Sequence, residues 1–255
     1  MSSLSPATRS LRLLQQVGHR CMCPAHSHQP SCNAHHSKRP LLSKFSSVKG
    51  TTRPSQEYAF EMASSNIRFG EGVTREVGMD LKNLKVKKVC VLTDSNLREL
   101  HPVQEALRSL DESGVPYVLF DRVRIEPTDT SFQDAIRFSQ GHQVDSFLAV
   151  GGGSVIDTAK AANLYSSYPK VDFLDFVNAP IGKGRPIDKT LMPLIAVPTT
   201  AGTGSETTGT AIFDYQPLHV KTGIAHRALK PLLGIVDPLN TRSMPTQVHL
   251  ASGLD

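Results

Sequence analysis

D-S-F-L-A-V-G-G-G-S-V-I-D-T-A-K, residues 145–160, is the stretch from which the fold is read. Its first six residues make a strand-length run that stops at Val150, and Ser154 opens a segment with helical spacing. Three glycines join the two. A strand that turns through glycine into a helix brings bare backbone to the carboxyl end of a sheet strand. Glycine suits that place because a Cβ would block the approach, and some φ angles there are expected to be positive. The free N–H groups of the helix start, with about 1 kcal/mol from the helix dipole, favour a phosphate. Glycine-rich turns also serve as plain connectors, and this loop is neither G-x-x-x-x-G-K-[ST] nor a strict G-x-G-x-x-G.

Outward from this unit the alternation of strand and helix continues. K-K-V-C-V-L-T-D at 87–94, P-Y-V-L-F-D at 116–121 and P-L-I-A-V-P at 193–198 read as further buried strands. A short strand and turn at 66–73 and helices near 74–84, 101–113 and 130–140 fill the intervals. Gly114 ends the second helix, and the helix after the glycine loop runs to about Leu164. Near-continuous apolar strands separated by helices predict a parallel sheet covered on both faces, a Rossmann-like doubly wound α/β domain.

Two more segments suit a ligand at the strand ends. Asp94 closes the strand at 87–94, where a carboxylate can hold ribose hydroxyls and repel a 2′-phosphate. Thr93, Asp94 and Ser95 suit a helix N-cap equally well. P-T-T-A-G-T-G-S-E at 198–206 follows the strand at 193–198 and presents Thr199, Thr200 and Thr203. These small donors suit a polar ligand or a tight structural loop.

The formal charge of +5 is unevenly placed. Residues 1–56 hold Arg9, Arg12, Arg20, Lys38, Arg39, Lys44, Lys49 and Arg53 and no acid, leaving 20 basic against 23 acidic residues elsewhere. A mildly acidic body removes the main support for nucleic-acid binding. No apolar run approaches the roughly 18 residues of a membrane-spanning helix. The acid-poor leader, with Leu11, Leu13 and Leu14 among arginines, has the character of a mitochondrial import signal, with a disordered basic tail as the alternative reading. Its Cys21, Cys23 and Cys32, with His19, His26, His28, His35 and His36, match no zinc-finger spacing. One cysteine, Cys90, remains in the body, which predicts no intrachain disulfide and a reducing compartment such as the mitochondrial matrix or cytosol. The domain reading is a leader at 1–56, a nucleotide-binding domain at 57–240 and the start of a further domain at 241–255.

Taken in order, these segments resemble the iron-containing alcohol dehydrogenase family. G-G-G-S-V-I-D-T-A-K at 151–160 and P-T-T-A-G-T-G-S-E at 198–206 look like its two dinucleotide loops, and T-D-S-N-L at 93–97 like its ribose segment. K-P-L-L-G-I-V-D-P at 230–238, S-M-P at 243–245 and A-S-G-L-D at 251–255 resemble the run leading to its metal. Y-A-F-E-M-A-S-S-N-I-R-F-G at 58–70 and V-R-I-E-P-T-D at 123–129 look most like a transhydrogenating, mitochondrial branch of that family. The resemblance implies that tightly held NAD carries hydride from 4-hydroxybutyrate to 2-oxoglutarate. It implies Asp94 on ribose, Gly152, Gly153 and Ser154 on pyrophosphate, and Thr199, Thr200 and Thr203 along the cofactor path, with Lys221 nearby. Asp157 and Lys160 match the motif, with an exposed or capping role left open for each.

In the family an aspartate in the position of Asp255 holds Fe²⁺ or Zn²⁺ together with a histidine four residues on and two later histidines. The sequence stops at Asp255, so the metal site and an all-helical second domain are expected to be missing. His249 fits none of the ligand positions. On this reading the 255 residues alone show no turnover, and no catalytic residue is assigned. Hydroxy and oxo acids are the implied small-molecule partners, with no nucleic acid or membrane, and a homo-oligomer is allowed. Another metal-dependent alcohol dehydrogenase and a non-catalytic nucleotide-binding fragment are the competing readings.

Overall fold

Alternation along each apolar run decides which side of the sheet a residue covers. In β2 (Val89–Leu92), Val89 and Val91 join one core while Cys90 and Leu92 join the other. In β4 (Ser146–Gly151) and β5 (Leu194–Pro198), Leu148, Val150, Ile195 and Val197 face with Val91; Phe147, Ala149, Leu194 and Ala196 face with Cys90. Strands apolar on both sides need cover on both. On one face α1 (Val77–Asn83) supplies Val77 and Leu81, and α2 (His101–Ser113) supplies Val103, Ala106 and Leu110. On the other, α3 (Asp129–His142) supplies Ala135 and α4 (Gly153–Ser167) supplies Val155, Ile156, Ala159 and Ala162. Each fully buried leucine in these layers contributes about 1.5–3 kcal/mol of burial.

The structure, a computed structural model, describes residues 66–253. The chain divides into Met1–Phe60 and Glu61–Asp255, and the sheet with its covering helices belongs to the second unit. The basic leader with its cysteines and histidines, and Asp255, lie outside the described residues. With β1 (Ile67–Phe69), β3 (Tyr117–Phe120) and β8 (Leu233–Val236), the six-stranded sheet runs β1-β8-β5-β4-β2-β3, every neighbouring pair parallel. Its architecture is the doubly wound α/β sheet expected from the sequence.

The local signals act as their chemistry dictates. Gly114 follows α2 at φ 67, the left-handed cap that glycine takes most cheaply. Thr128 and Ser131 form a reciprocal capping box at the start of α3. The helix expected near 74–84 is split into a 3₁₀ turn, Val73–Glu76, and α1. Gly78 N–H donates to Ser109 Oγ, and a Cβ at Gly78 would fall 2.0 Å from the Ser109 carbonyl oxygen, so α1 lies hard against α2 at that glycine. Helix α4 runs past Leu164 to Ser167. Its last turns pack Leu164 and Tyr165 with Phe132 and Ile136 against a two-stranded antiparallel hairpin, β6 (Thr210–Tyr215) and β7 (Val220–Ala225). A short α5 (Thr246–Ser252) carries His249 as an ordinary exposed helix residue.

Candidate functional site

From β2 the chain passes through α2 to β3 on one side, then returns through α3 to β4 on the other side of β2. The loops leaving β2 and β4 therefore diverge, and a crevice opens outside their carboxyl ends, the place where such sheets take ligands. Asp94 stands at one lip, two residues past the Leu92–Ala149 pair; Gly151 and Gly152 stand at the other. The loop after β5 joins them, since Thr199 N–H donates to Gly151 O at 3.1 Å.

Asp94 caps a turn rather than the helix that the N-cap alternative expects, since the next helix, α2, starts only at His101 with Leu100 as its N-cap. Asp94 Oδ1 accepts the N–H groups of Asn96 at 2.8 Å and Leu97 at 3.0 Å, and both bonds fall on that one oxygen. Capping and a contact through the second oxygen are compatible.

The glycines differ in part from expectation. None of Gly151, Gly152 and Gly153 has positive φ; Gly152 is extended at φ −76, ψ −173. The positive angles lie in the threonine loop instead, at Gly202 and Gly204. The glycine loop needs space rather than unusual torsions. A Cβ at Gly151 would meet the Val155 side chain at 2.5 Å, one at Gly152 would lie 3.2 Å from Thr200 Oγ1, and one at Gly153 3.2 Å from Thr203 Oγ1. Two loops from neighbouring strands thus touch through the absence of side chains. No side chain caps α4; the Val155 N–H turns back to Gly152 O at 3.0 Å, and the N–H groups of Gly153 and Ser154 keep the orphan character of a helix start.

Gly153, Ser154, Asp157, Thr203 and Lys221 line a single cleft of about 410 Å³, with Ser205, Thr208, Thr210 and the hairpin residues Ile212, Phe213 and Asp214. Thr199 is buried behind the loop contact, and Thr200 faces Gly152. Lys221 is 61% exposed and 4.0 Å from Asp214, a surface pair of little energetic weight.

Neither Asp157 nor Lys160 is exposed or capping. Asp157 Oδ2 accepts the Ile212 N–H at 3.0 Å, and Oδ1 accepts the Ser205 hydroxyl, which ties α4 to the hairpin. Lys160 is wholly buried, and its Nζ donates to Asp157 Oδ1, Ser205 Oγ, Thr208 Oγ1 and, at 2.7 Å, Thr210 O. Burial pushes the ammonium below the ordinary lysine pKa, while Asp157 opposes that shift.

Sequence reasoning missed Glu126. It sits on the cleft rim at φ 54, a conformation that costs a residue with a Cβ, and its N–H donates to Ser154 Oγ at 3.3 Å. Its one signal in the sequence is its place before Pro127 in V-R-I-E-P-T-D. A roomier cavity, about 590 Å³, lies around Met192–Leu194 at the amino end of β5, remote from these loops.

The uncapped helix start, the bare glycines and the wall of hydroxyls fit a dinucleotide. For a metal the fit fails among the described residues, where no three His, Cys, Asp or Glu side chains converge.

Comparison with known proteins agrees with this fold. Hydroxyacid-oxoacid transhydrogenase, mitochondrial, of Bos taurus is 58% identical over 245 residues, 96% of this chain and 49% of that protein. The chain spans about half the length of the curated relatives it matches. NADH-dependent butanol dehydrogenase A of Thermotoga maritima superposes with a TM-score of 0.70 at 26% identity, over 77% of this chain and 48% of that one. Sulfoacetaldehyde reductase of Bifidobacterium kashiwanohense, solved in complex with NAD+, gives 0.66 at 26% identity, over 77% and 51%. Residues 64–238, which hold every strand of the sheet and both loops of the cleft, match the iron-containing alcohol dehydrogenases, and the chain belongs to that family.

Proposed function

We propose that this chain is the dinucleotide-holding part of an oxidoreductase that passes hydride between small hydroxy and oxo acids. The observation that carries the reading is the uncapped start of α4, set at the divergence of β2 and β4 and faced by Thr200 and Thr203. When bound, NAD supplies the hydride carrier. The chain's own residues orient it: Gly152, Gly153 and Ser154 offer backbone N–H groups to the pyrophosphate, and Asp94 offers its free carboxylate oxygen to a ribose. Thr199, Thr200 and Thr203 back and line the path, with Asp157 behind them and Lys221 at the mouth.

The substrates proposed are those of the transhydrogenating branch. 4-Hydroxybutyrate gives up a hydride and a proton to become succinate semialdehyde, and 2-oxoglutarate gains both to become 2-hydroxyglutarate. The relatives' names and the basic leader support a mitochondrial location, and we place the enzyme in the matrix. Asp255 is the one residue of the chain proposed as a ligand to Fe²⁺ or Zn²⁺, and no step is drawn through the metal.

Titration of the 255-residue chain with NADH, followed by nicotinamide fluorescence, tests the binding half of the proposal. Saturable binding that ADP displaces supports it; no fluorescence change at millimolar NADH overturns it. A deuterium label tests the transfer half at the relatives' full length. Deuterium placed on the carbinol carbon of 4-hydroxybutyrate should appear in 2-hydroxyglutarate and not in added free NADH.

A further inference from the structure

The segment between β5 and β6 carries most of the hydroxyls of the cleft, yet residues 201–203 are exposed and two of its glycines hold positive φ. Such a stretch has little packing of its own to fix it. One turn of α4 anchors it by side chains. Asp157 takes Ser205 and the edge of β6, while Lys160, wholly buried, spans from Asp157 to three separate points, Ser205, Thr208 and Thr210. All three points, and Asp157 itself, line the cleft. The same helix begins at Gly153, where the opposing wall approaches through Thr203. One rigid element therefore offers the phosphate-binding backbone at its first turn and anchors the facing wall from its second.

An ammonium is an expensive filler for that position. Burial disfavours its charge, and a buried ion pair is often replaceable by a well-packed apolar side chain with no loss of stability. A methionine of similar length would occupy much of the same space without donating to anything. What the lysine adds is three N–H donors shared among four acceptors, three of them on the far wall.

We infer that Lys160 is a positioning residue that sets the separation of the cleft's two walls, holding the Thr203–Thr210 side at the distance from the glycine loop that a dinucleotide requires. The inference rests on the reading of the cleft as a dinucleotide site, but the clamp itself exists without ligand. Lys160 is fully buried and does not line the cleft; it acts through Ser205 and Thr208.

Hydrogen exchange on the ligand-free 255-residue chain tests the clamp, and NADH titration of the same samples tests its consequence. Lys160→Met should speed exchange of amides in 199–210 at least tenfold while amides of β2 and β4 keep their protection, and NADH affinity should fall at least tenfold. Faster exchange across the whole sheet would reduce Lys160 to a structural residue and overturn the inference, as would unchanged exchange in 199–210. Where Lys160→Met does not fold, the double variant Ser205→Ala, Thr208→Val removes two of the clamp's far-side partners and leaves the lysine anchored by Asp157 and Thr210. It should show the same local pattern, with affinity lowered about threefold; parent-like exchange and affinity there refute the clamp. If the parent chain binds no NADH, the dinucleotide reading fails, and the exchange result still decides whether the wall is held by Lys160.

Discussion

Replacing Gly153 by alanine separates what the glycine loop does for folding from what it does for a ligand. Gly153 is the first residue of α4 and its φ is not positive, so alanine can adopt its backbone. Glycine-to-alanine changes at compatible sites stabilise by about 0.4–1 kcal/mol, because the unfolded chain has fewer states to lose. Against that, the new methyl would lie 3.2 Å from both Cγ2 and Oγ1 of Thr203, and the threonine must yield by a few tenths of an ångström. Thr203 is exposed, so its retreat costs little in folding. The expected net change in stability is within about 1 kcal/mol of zero. The cleft, however, loses room where the two loops meet, and NADH affinity should fall tenfold or more, which is about 1.4 kcal/mol.

Gly151→Ala should behave in the opposite way. Its Cβ would lie 2.5 Å from Cγ2 and 2.7 Å from Cβ of buried Val155, and overpacking of that kind costs about 1–3 kcal/mol. Urea unfolding followed by circular dichroism, together with NADH fluorescence titration, measures both quantities on each variant. Parent-like NADH binding by Gly153→Ala would refute the placement of the ligand between the loops. Equal destabilisation by the two variants would refute the division of labour.

Asp94→Asn keeps an oxygen to cap Asn96 and Leu97 but removes the charge, so the preference for NADH over NADPH should narrow at least fivefold in paired titrations. Asp237 is buried, and although burial opposes its charge, hydrogen bonds from Gly72, Thr74 and Leu239 hold its pKa below the ordinary carboxylate value. A depressed folded-state pKa adds stability above the unfolded value near 4 and loses it as pH falls through the folded one. Asp237→Asn should cost about 1–3 kcal/mol at pH 7 and flatten the loss of stability below pH 4 in urea melts. Burial pushes the Cys90 thiol up to about 11, so mass spectrometry after iodoacetamide at pH 8 should find Cys90 unlabelled in the native chain and labelled in 8 M urea.

The parts of this fold that are legible in the sequence are those whose cause is local. Gly114 and the two-faced runs at 89–92 and 194–198 each carry their own reason within a few residues. The glycine loop and Asp94 are legible as types at strand ends, and the crossing of the chain between β2 and β4 is what brings them to one crevice. Lys160 is not legible as a clamp, because its surroundings are supplied by residues 45 to 50 positions away on a loop and hairpin. A lysine three residues after an aspartate on a helix ordinarily reads as a solvated pair. Glu126 escapes for a different reason, since a left-handed glutamate has no compositional signature.

The pairing of β1 with β8 has a consequence for how the sheet is completed. Asn66, at the start of β1, bonds to Leu232, 166 residues further along, and Ile67 to Phe69 pair with Gly234 to Val236. At synthesis rates of 5–20 residues per second, β8 follows β1 by roughly ten to thirty seconds. In that interval every other strand of the sheet, the glycine loop and the threonine loop have already emerged. The sheet's first strand to be made is thus the last to be paired, and that edge of the sheet stays open until β8 arrives to join it.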